Sequence, residues 1–121
     1  MKYTANIPIY VQIIEKIKQD VLTGVLAQGE KLPSIQEMAV QMDVNQNTMF
    51  RAYKECETLG LLETKRGIGS FVVDDKAIIA QLRAEKVQLI TDTFVHELKE
   101  LGFSNDEMLA VLRSTLEEEK A

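Results

Sequence analysis

Asn47, Phe50, Arg51 and Lys54 are spaced so that, at about 100° per residue, a helix would carry all four on one face, opposite Met49, Ala52, Tyr53, Cys56 and Leu59. Those four side chains together suit recognition of a nucleic acid. An Asn carboxamide pairs bidentately with adenine, an Arg guanidinium with guanine O6 and N7 or with a phosphate, and a Lys ammonium with a phosphate. Phe50 could touch a thymine methyl; the alternative is a slightly different helix phase, which would tuck the ring against the edge of the core or the wing. Gln36, Gln46 and Thr48 add uncharged hydrogen-bonding groups nearby in the chain, and a second cluster, Lys65 and Arg66 with Gly67 and Gly69, could approach a minor groove or backbone. On a solvated helix face or an ordinary hairpin tip the same residues would do nothing, so the reading rests on the elements that carry them.

Those elements follow from capping chemistry and apolar spacing. Ser34 and Glu37 form a capping box that opens a helix with Met38, Ala39 and Met42 on its apolar face. Asp43 breaks the pattern, Val44 is a buried turn residue, and Asn45 caps a second helix to Leu59, where Gly60 allows a left-handed ending. Two short helices joined this way form a helix-turn-helix, and the free N–H groups at the Ser34 helix start would favour a phosphate. Ahead of them, Ile9, Ile13, Ile14, Ile17, Val21 and Leu22 mark an amphipathic helix from about Ile9 to Thr23, started by Pro8 and closed by Gly24. After them, Leu61–Lys65 and Ser70–Val73 read as a hairpin around Arg66-Gly67-Ile68-Gly69. Asp74 or Asp75 then caps a long helix to about Leu101, Gly102 ends it, and Ser104 with Glu107 opens a last helix to about Leu116, followed by a fraying acidic end at Glu117–Glu119.

The long helix carries Ile79, Leu82, Val87, Ile90, Phe94, Leu98 and Leu101, and the last helix carries Met108, Leu109, Leu112 and Leu116. A two-helix hairpin cannot bury that much apolar stripe alone, so it calls for a second surface. A second copy of the tail is the simplest candidate; folding back on the preceding domain is the alternative.

With 121 residues and 45% hydrophobic content, the chain can bury a core, and one domain with an appendage is expected. No apolar run is long enough to span a bilayer, and Met1–Ala5 lacks the build of a signal peptide, so cytoplasmic residence without membrane partners is expected. Cys56 is the single cysteine, which excludes an internal disulfide, and its place on the apolar helix face predicts an inert buried thiol. His96 has no second His or Cys at ligand spacing, so no metal or other cofactor is expected and a surface or interface role fits it better. No nucleophile–base pair and no phosphate-binding glycine loop with its lysine argue for an enzyme.

Net charge runs against nucleic-acid binding: the sequence pI is about 4.9. The acid is unevenly placed. Residues 1–74 hold 8 Lys and Arg against 9 Asp and Glu, whereas residues 75–121 hold 6 against 10. Screening over about 8 Å at cellular salt lets a local basic patch work on an acidic protein.

Four separated motifs add a resemblance. Pro-Ile-Tyr-Val-Gln-Ile at 8–13, Gly-Glu-Lys-Leu-Pro-Ser at 29–34, Asn-Thr-Met-Phe-Arg-Ala-Tyr at 47–53 and Arg-Gly-Ile-Gly-Ser-Phe-Val at 66–72 resemble the winged-helix domain of GntR-family bacterial transcription regulators. The remainder is similar to the YtrA-like subgroup, in which a short helical tail dimerises. The resemblance implies a mainly α fold with a small β wing, a DNA-binding domain at 1–74 and a dimerisation tail at 75–121. It also implies a homodimeric regulator, expected to be a repressor, on a pseudo-palindromic double-stranded DNA operator near transport genes. The family often has arginines where this chain has Gln36, Gln46 and Phe50, so its operator cannot be carried over. No residue names a small-molecule effector. A winged helix converted to a protein-interaction module is the competing reading.

Overall fold

The computed structural model describes residues 1–120. The order is α1 (Ile9–Thr23), α2 (Ile35–Gln41), α3 (Gln46–Thr58), β1 (Leu62–Lys65), β2 (Gly69–Val72), α4 (Lys76–Glu100) and α5 (Asn105–Glu119). The fold is mainly helical with one small antiparallel sheet, as the sequence predicts. The chain divides into two compact units, Met1–Arg83 and Ala84 onward.

In the first unit, α1 starts after Pro8, where a missing N–H costs nothing, and stops at Gly24 in the left-handed region. The Ser34–Glu37 capping box is present in both directions. Asn45 caps α3 by accepting from the Asn47 N–H at 2.6 Å. Between α2 and α3, Asp43 has φ of +53°, a conformation that the short polar side chain of Asp tolerates better than most. Ile13, Ile17, Met49, Ala52, Tyr53, Cys56, Leu61 and Val72 are almost wholly buried and form the centre of the core. Tyr53 satisfies its hydroxyl by donating to the Pro33 carbonyl at 2.7 Å, and burial raises its pKa above the ordinary phenol value. Burial, followed by Glu55, Glu15 and Glu57, pushes the Cys56 thiol up to about 12, so it stays a neutral core group near neutral pH.

Several expectations are corrected. Leu59 is the C-cap of α3 and 44% exposed, because the helix ends one residue earlier and releases it from the apolar face. Ile9, counted in the α1 stripe, is also exposed, since it sits in the first turn ahead of the packed stretch. Gly69 belongs to β2, paired with Lys65, which leaves a tight Arg66–Ile68 turn closed by Ile68 N–H to Lys65 O at 2.9 Å. The hairpin also gains an edge partner: Leu32 N–H donates to Ser70 O, Val72 N–H to Glu30 O, and Lys31 bridges Phe71. The Gly-Glu-Lys-Leu-Pro-Ser segment therefore ties the start of the helix-turn-helix to the wing.

Asp75 caps α4, accepting from the Ala77 and Ile78 N–H groups, whereas Asp74 accepts from Gln28 Nε2 at 3.0 Å. Ile79 and Leu82, placed by sequence in the dimerisation stripe, are half-buried and pack against the core of the first unit. In the second unit α5 continues to Glu119 rather than fraying after Leu116. Ser104 and Glu107 form the second capping box, and Gly102 takes a left-handed conformation between the helices.

Candidate nucleic-acid interface

The phase of α3 puts Met49, Ala52, Tyr53 and Cys56 into the core and leaves Gln46, Asn47, Phe50, Arg51 and Lys54 exposed. Phe50 is 51% exposed, so the alternative of a core-edge ring is set aside: the aromatic does face outward. A large ring on a polar face has no packing explanation within the chain, which directs attention to an external apolar group. Thr48 is half-buried. The side-chain amide of Asn47 makes no hydrogen bond within the described residues, so its donors and acceptor remain available.

Three of the cations, Arg51, Lys54 and Lys65, have neighbours within the chain. The Arg51 guanidinium lies over the Tyr10 ring at 3.7 Å and donates to the Tyr10 hydroxyl at 3.0 Å. Lys54 Nζ lies 5.4 Å from the Phe50 ring centroid and 3.7 Å from a Glu57 carboxylate oxygen. Glu57 also accepts a hydrogen bond from Thr64 in β1, so an acidic side chain couples α3 to the wing. Lys65 Nζ sits 4.5 Å above the Phe71 ring. These contacts are individually small at exposed sites.

At the start of α2, the Ser34 hydroxyl is taken by the Glu37 N–H at 3.1 Å, and Glu37 accepts from the Ser34 N–H at 3.2 Å. These bonds, with Lys31 a minor contributor, hold the Glu37 carboxyl below the ordinary carboxylate range. The expectation of a ready phosphate site at this helix start is thereby narrowed, because a fixed carboxylate already occupies part of it. Gln36 remains exposed beside it.

In the wing, Lys65, Arg66 and Gly67 are exposed and Gly69 is half-buried. Gly67 has φ of +77° with open space where a Cβ would stand. Gly69 has φ of +141°, and a Cβ there would lie 3.0 Å from Lys31 Cε. Sequence reasoning missed Lys31 and Tyr10 as members of this surface. Both sit inside the quoted motifs, but nothing in their spacing says that Lys31 crosses to the wing or that Tyr10 meets α3.

In the second unit Met108 is the one buried side chain among the described residues, and Phe94 and Leu98 are half-buried. Val87, Ile90, Leu101, Leu109, Leu112 and Leu116 are exposed, Leu101 by 73%. Between α4 and α5 an apolar groove of about 330 Å³ is lined by Phe94, Val95, Met108, Leu109 and Leu112, with Thr91 and Asn105 at its rim. No described helix is long and apolar enough to cross a membrane.

Residues 9–72 match the family model described as bacterial regulatory proteins, gntR family. The chain is 38% identical over 116 residues to the HTH-type transcriptional regulator YhcF of Bacillus subtilis, covering 96% of each. It is 36% identical over 94 residues to the HTH-type transcriptional repressor YtrA of the same organism, covering 73% of this chain and 72% of that one. A GntR family transcriptional regulator from Listeria monocytogenes superposes with a TM-score of 0.88 at 33% identity, over 93% of this chain and 98% of that one. The DNA-binding domain of AraR in complex with operator ORX1 superposes with a TM-score of 0.56 at 26% identity, over 60% of this chain and 93% of that one. The outward face of α3, the glycine-tipped wing and these likenesses lead to one conclusion: the chain belongs to the GntR family and is a DNA-binding transcriptional regulator, not an enzyme.

Proposed function

We propose that this regulator is a cytoplasmic homodimeric repressor that binds a pseudo-palindromic operator, with α3 in the major groove and the wing beside it. The observation that carries the recognition half is the exposed set Asn47, Phe50, Arg51 and Lys54 on a helix whose opposite face is wholly buried. Asn47 reads adenine, Phe50 meets a thymine methyl, and Lys54, Lys65 and Arg66 neutralise phosphates. Gln36 and Gln46, both exposed, contribute uncharged hydrogen bonds. Gly67 and Gly69 keep the wing tip narrow, and Ser34 acts mainly through its cap, which fixes the start of α2.

The dimer half rests on the tail. Val87, Ile90, Leu101, Leu109, Leu112 and Leu116 expose more apolar surface than an isolated helical pair would leave to water, and a two-fold partner presenting the same face covers it. Two copies would place two recognition helices on one duplex, which an inverted repeat matches. Repression is supported by the likeness to YtrA, which is named a repressor.

The test is selection of bound duplexes from a random double-stranded library with the full chain, together with sedimentation of the same protein. An inverted-repeat consensus and a dimeric mass are expected. A single unpaired half-site bound by a monomer would overturn the homodimer, and binding indifferent to sequence would overturn direct readout by α3.

A further inference from the structure

Arg51 does not project freely from α3. Its guanidinium carbon stands 3.7 Å from the centroid of the Tyr10 ring, and Nη2 donates to the Tyr10 hydroxyl at 3.0 Å. Tyr10 lies on α1, 41 positions earlier in the chain, and its half-buried ring packs against the core of the first unit. The support is therefore anchored, and it comes from outside the helix-turn-helix.

We infer that Tyr10 is a positioning residue that holds Arg51 as a phosphate anchor, and that Arg51 does not read bases. This rests on the reading that α3 faces DNA. A guanidinium that reads guanine must extend into the groove and present two parallel N–H groups to O6 and N7. Arg51 leans instead toward α1, with one donor already given to Tyr10. Leaving that position forfeits a cation–π contact and a hydrogen bond, together about tenfold in an equilibrium. A phosphate asks less, because the other four of its five donors remain and a backbone oxygen accepts from many directions. Stacking on an anchored ring also restricts Arg51 before DNA arrives, so less side-chain freedom is lost on binding.

Position along α3 points the same way. The N-terminal residues of a recognition helix are the ones that reach base edges. Asn47 and Phe50 precede Arg51, and the Asn47 amide has no competing bond within the described residues. Reading then falls to them, while Arg51 fixes how the helix lies.

The experiment uses the full chain, a random-sequence duplex library, and two fixed duplexes, one selected by the wild type and one with the same bases shuffled. Arg51→Ala should weaken both fixed duplexes by the same factor, about tenfold, leave the selected consensus unchanged, and make the log–log salt slope shallower by about 0.9 for each phosphate that is no longer neutralised. Tyr10→Phe keeps the ring and removes the hydroxyl. It should cost two- to fivefold on both duplexes at an unchanged salt slope, and should cost nothing further in an Arg51→Ala background. A shift of the consensus at particular base pairs in Arg51→Ala would overturn the anchor role. A Tyr10→Phe loss that persists in the Arg51→Ala background would overturn the positioning role. If Tyr10→Phe proves unfolded by circular dichroism, the Arg51→Ala consensus still decides the anchor. Failure of the wild type to enrich any sequence would instead sink the α3 reading itself.

Discussion

Ile13 on α1 and Leu112 on α5 are both aliphatic side chains on amphipathic helices, yet Ile13 is fully buried and Leu112 is 43% exposed. The contrast extends to their whole units. Residues up to Arg83 enclose a continuous apolar core with three helices, a hairpin and the start of α4, and leave apolar side chains such as Val25, Val40, Phe50 and Ile68 exposed around it. From Ala84 onward two helices bury Met108 alone among the described residues and leave a leucine-lined groove open. A helix can be well capped and regularly spaced and still lack the partner its apolar stripe was built for. Capping chemistry sets where a helix forms; only a complementary surface turns its stripe into stability.

If that contrast is right, substitutions of similar chemistry should differ in kind between the units. Ile13→Ala should destabilise the first unit by about 2–5 kcal/mol, because it leaves a cavity where the core is closed. Urea unfolding should show the same loss at every protein concentration. The tail should respond differently: Leu112→Glu should convert a dimer to a monomer in sedimentation, lower operator affinity, and leave the unfolding of the first unit almost unchanged. A Leu112→Glu protein that remains dimeric would remove the groove from the interface.

Within the first unit, Asn47→Ala should cost about 1–3 kcal/mol on the selected operator and relax preference at particular base pairs. Phe50→Ala gives the finer comparison. Replacing an operator thymine by uracil should weaken the wild type and leave the mutant indifferent, as measured by competition binding, whereas a purely structural Phe50 would show lower thermal stability with no base dependence. Lys54→Ala should lower affinity for all sequences about equally.

The smallest effect belongs to the two capping boxes, one in each unit. Bonds to Ser34 hold the Glu37 carboxyl below its ordinary value of 4.5, and bonds to Ser104 do the same for Glu107. A depressed folded-state pKa contributes stability above 4.5 that is lost as pH falls through the folded value. Glu37→Gln should therefore make acid unfolding of the first unit slightly less pH-dependent, measured as the thermal midpoint between neutral pH and pH values below the carboxylate range. An unchanged acid limb would show that the cap carries no linkage.

The comparison of units also explains which parts of the molecule were legible in the chain. Local signals were enough where one residue type answers one local demand. Ser34 with Glu37 and Ser104 with Glu107 opened α2 and α5 where a reciprocal cap was expected, and Gly24 and Gly102 stand at the ends of α1 and α4. The 3.6-residue spacing of Met49, Ala52, Tyr53 and Cys56 was enough to orient α3, and with it the outward face. The motifs at 8–13, 29–34, 47–53 and 66–72 were enough to name the family.

What spacing could not convey was contact between distant segments. Ile79 and Leu82 belong to the same stripe as Phe94 by periodicity, but they are claimed by the core of the first unit, so the stripe changes its partner partway along α4. Leu59 has the right phase to be buried and is not, because the helix ends before it. Lys31 became part of the wing through backbone pairing with β2, and Tyr10 came to hold Arg51 across 41 positions. Periodicity describes one helix at a time, whereas which groups meet across the fold depends on how closed loops and packed helices bring distant positions together. Local signals thus placed the helices, the hairpin and the outward face of α3, and three-dimensional packing decided which cations on that face are held by neighbours and how far along α4 the core of the first unit reaches.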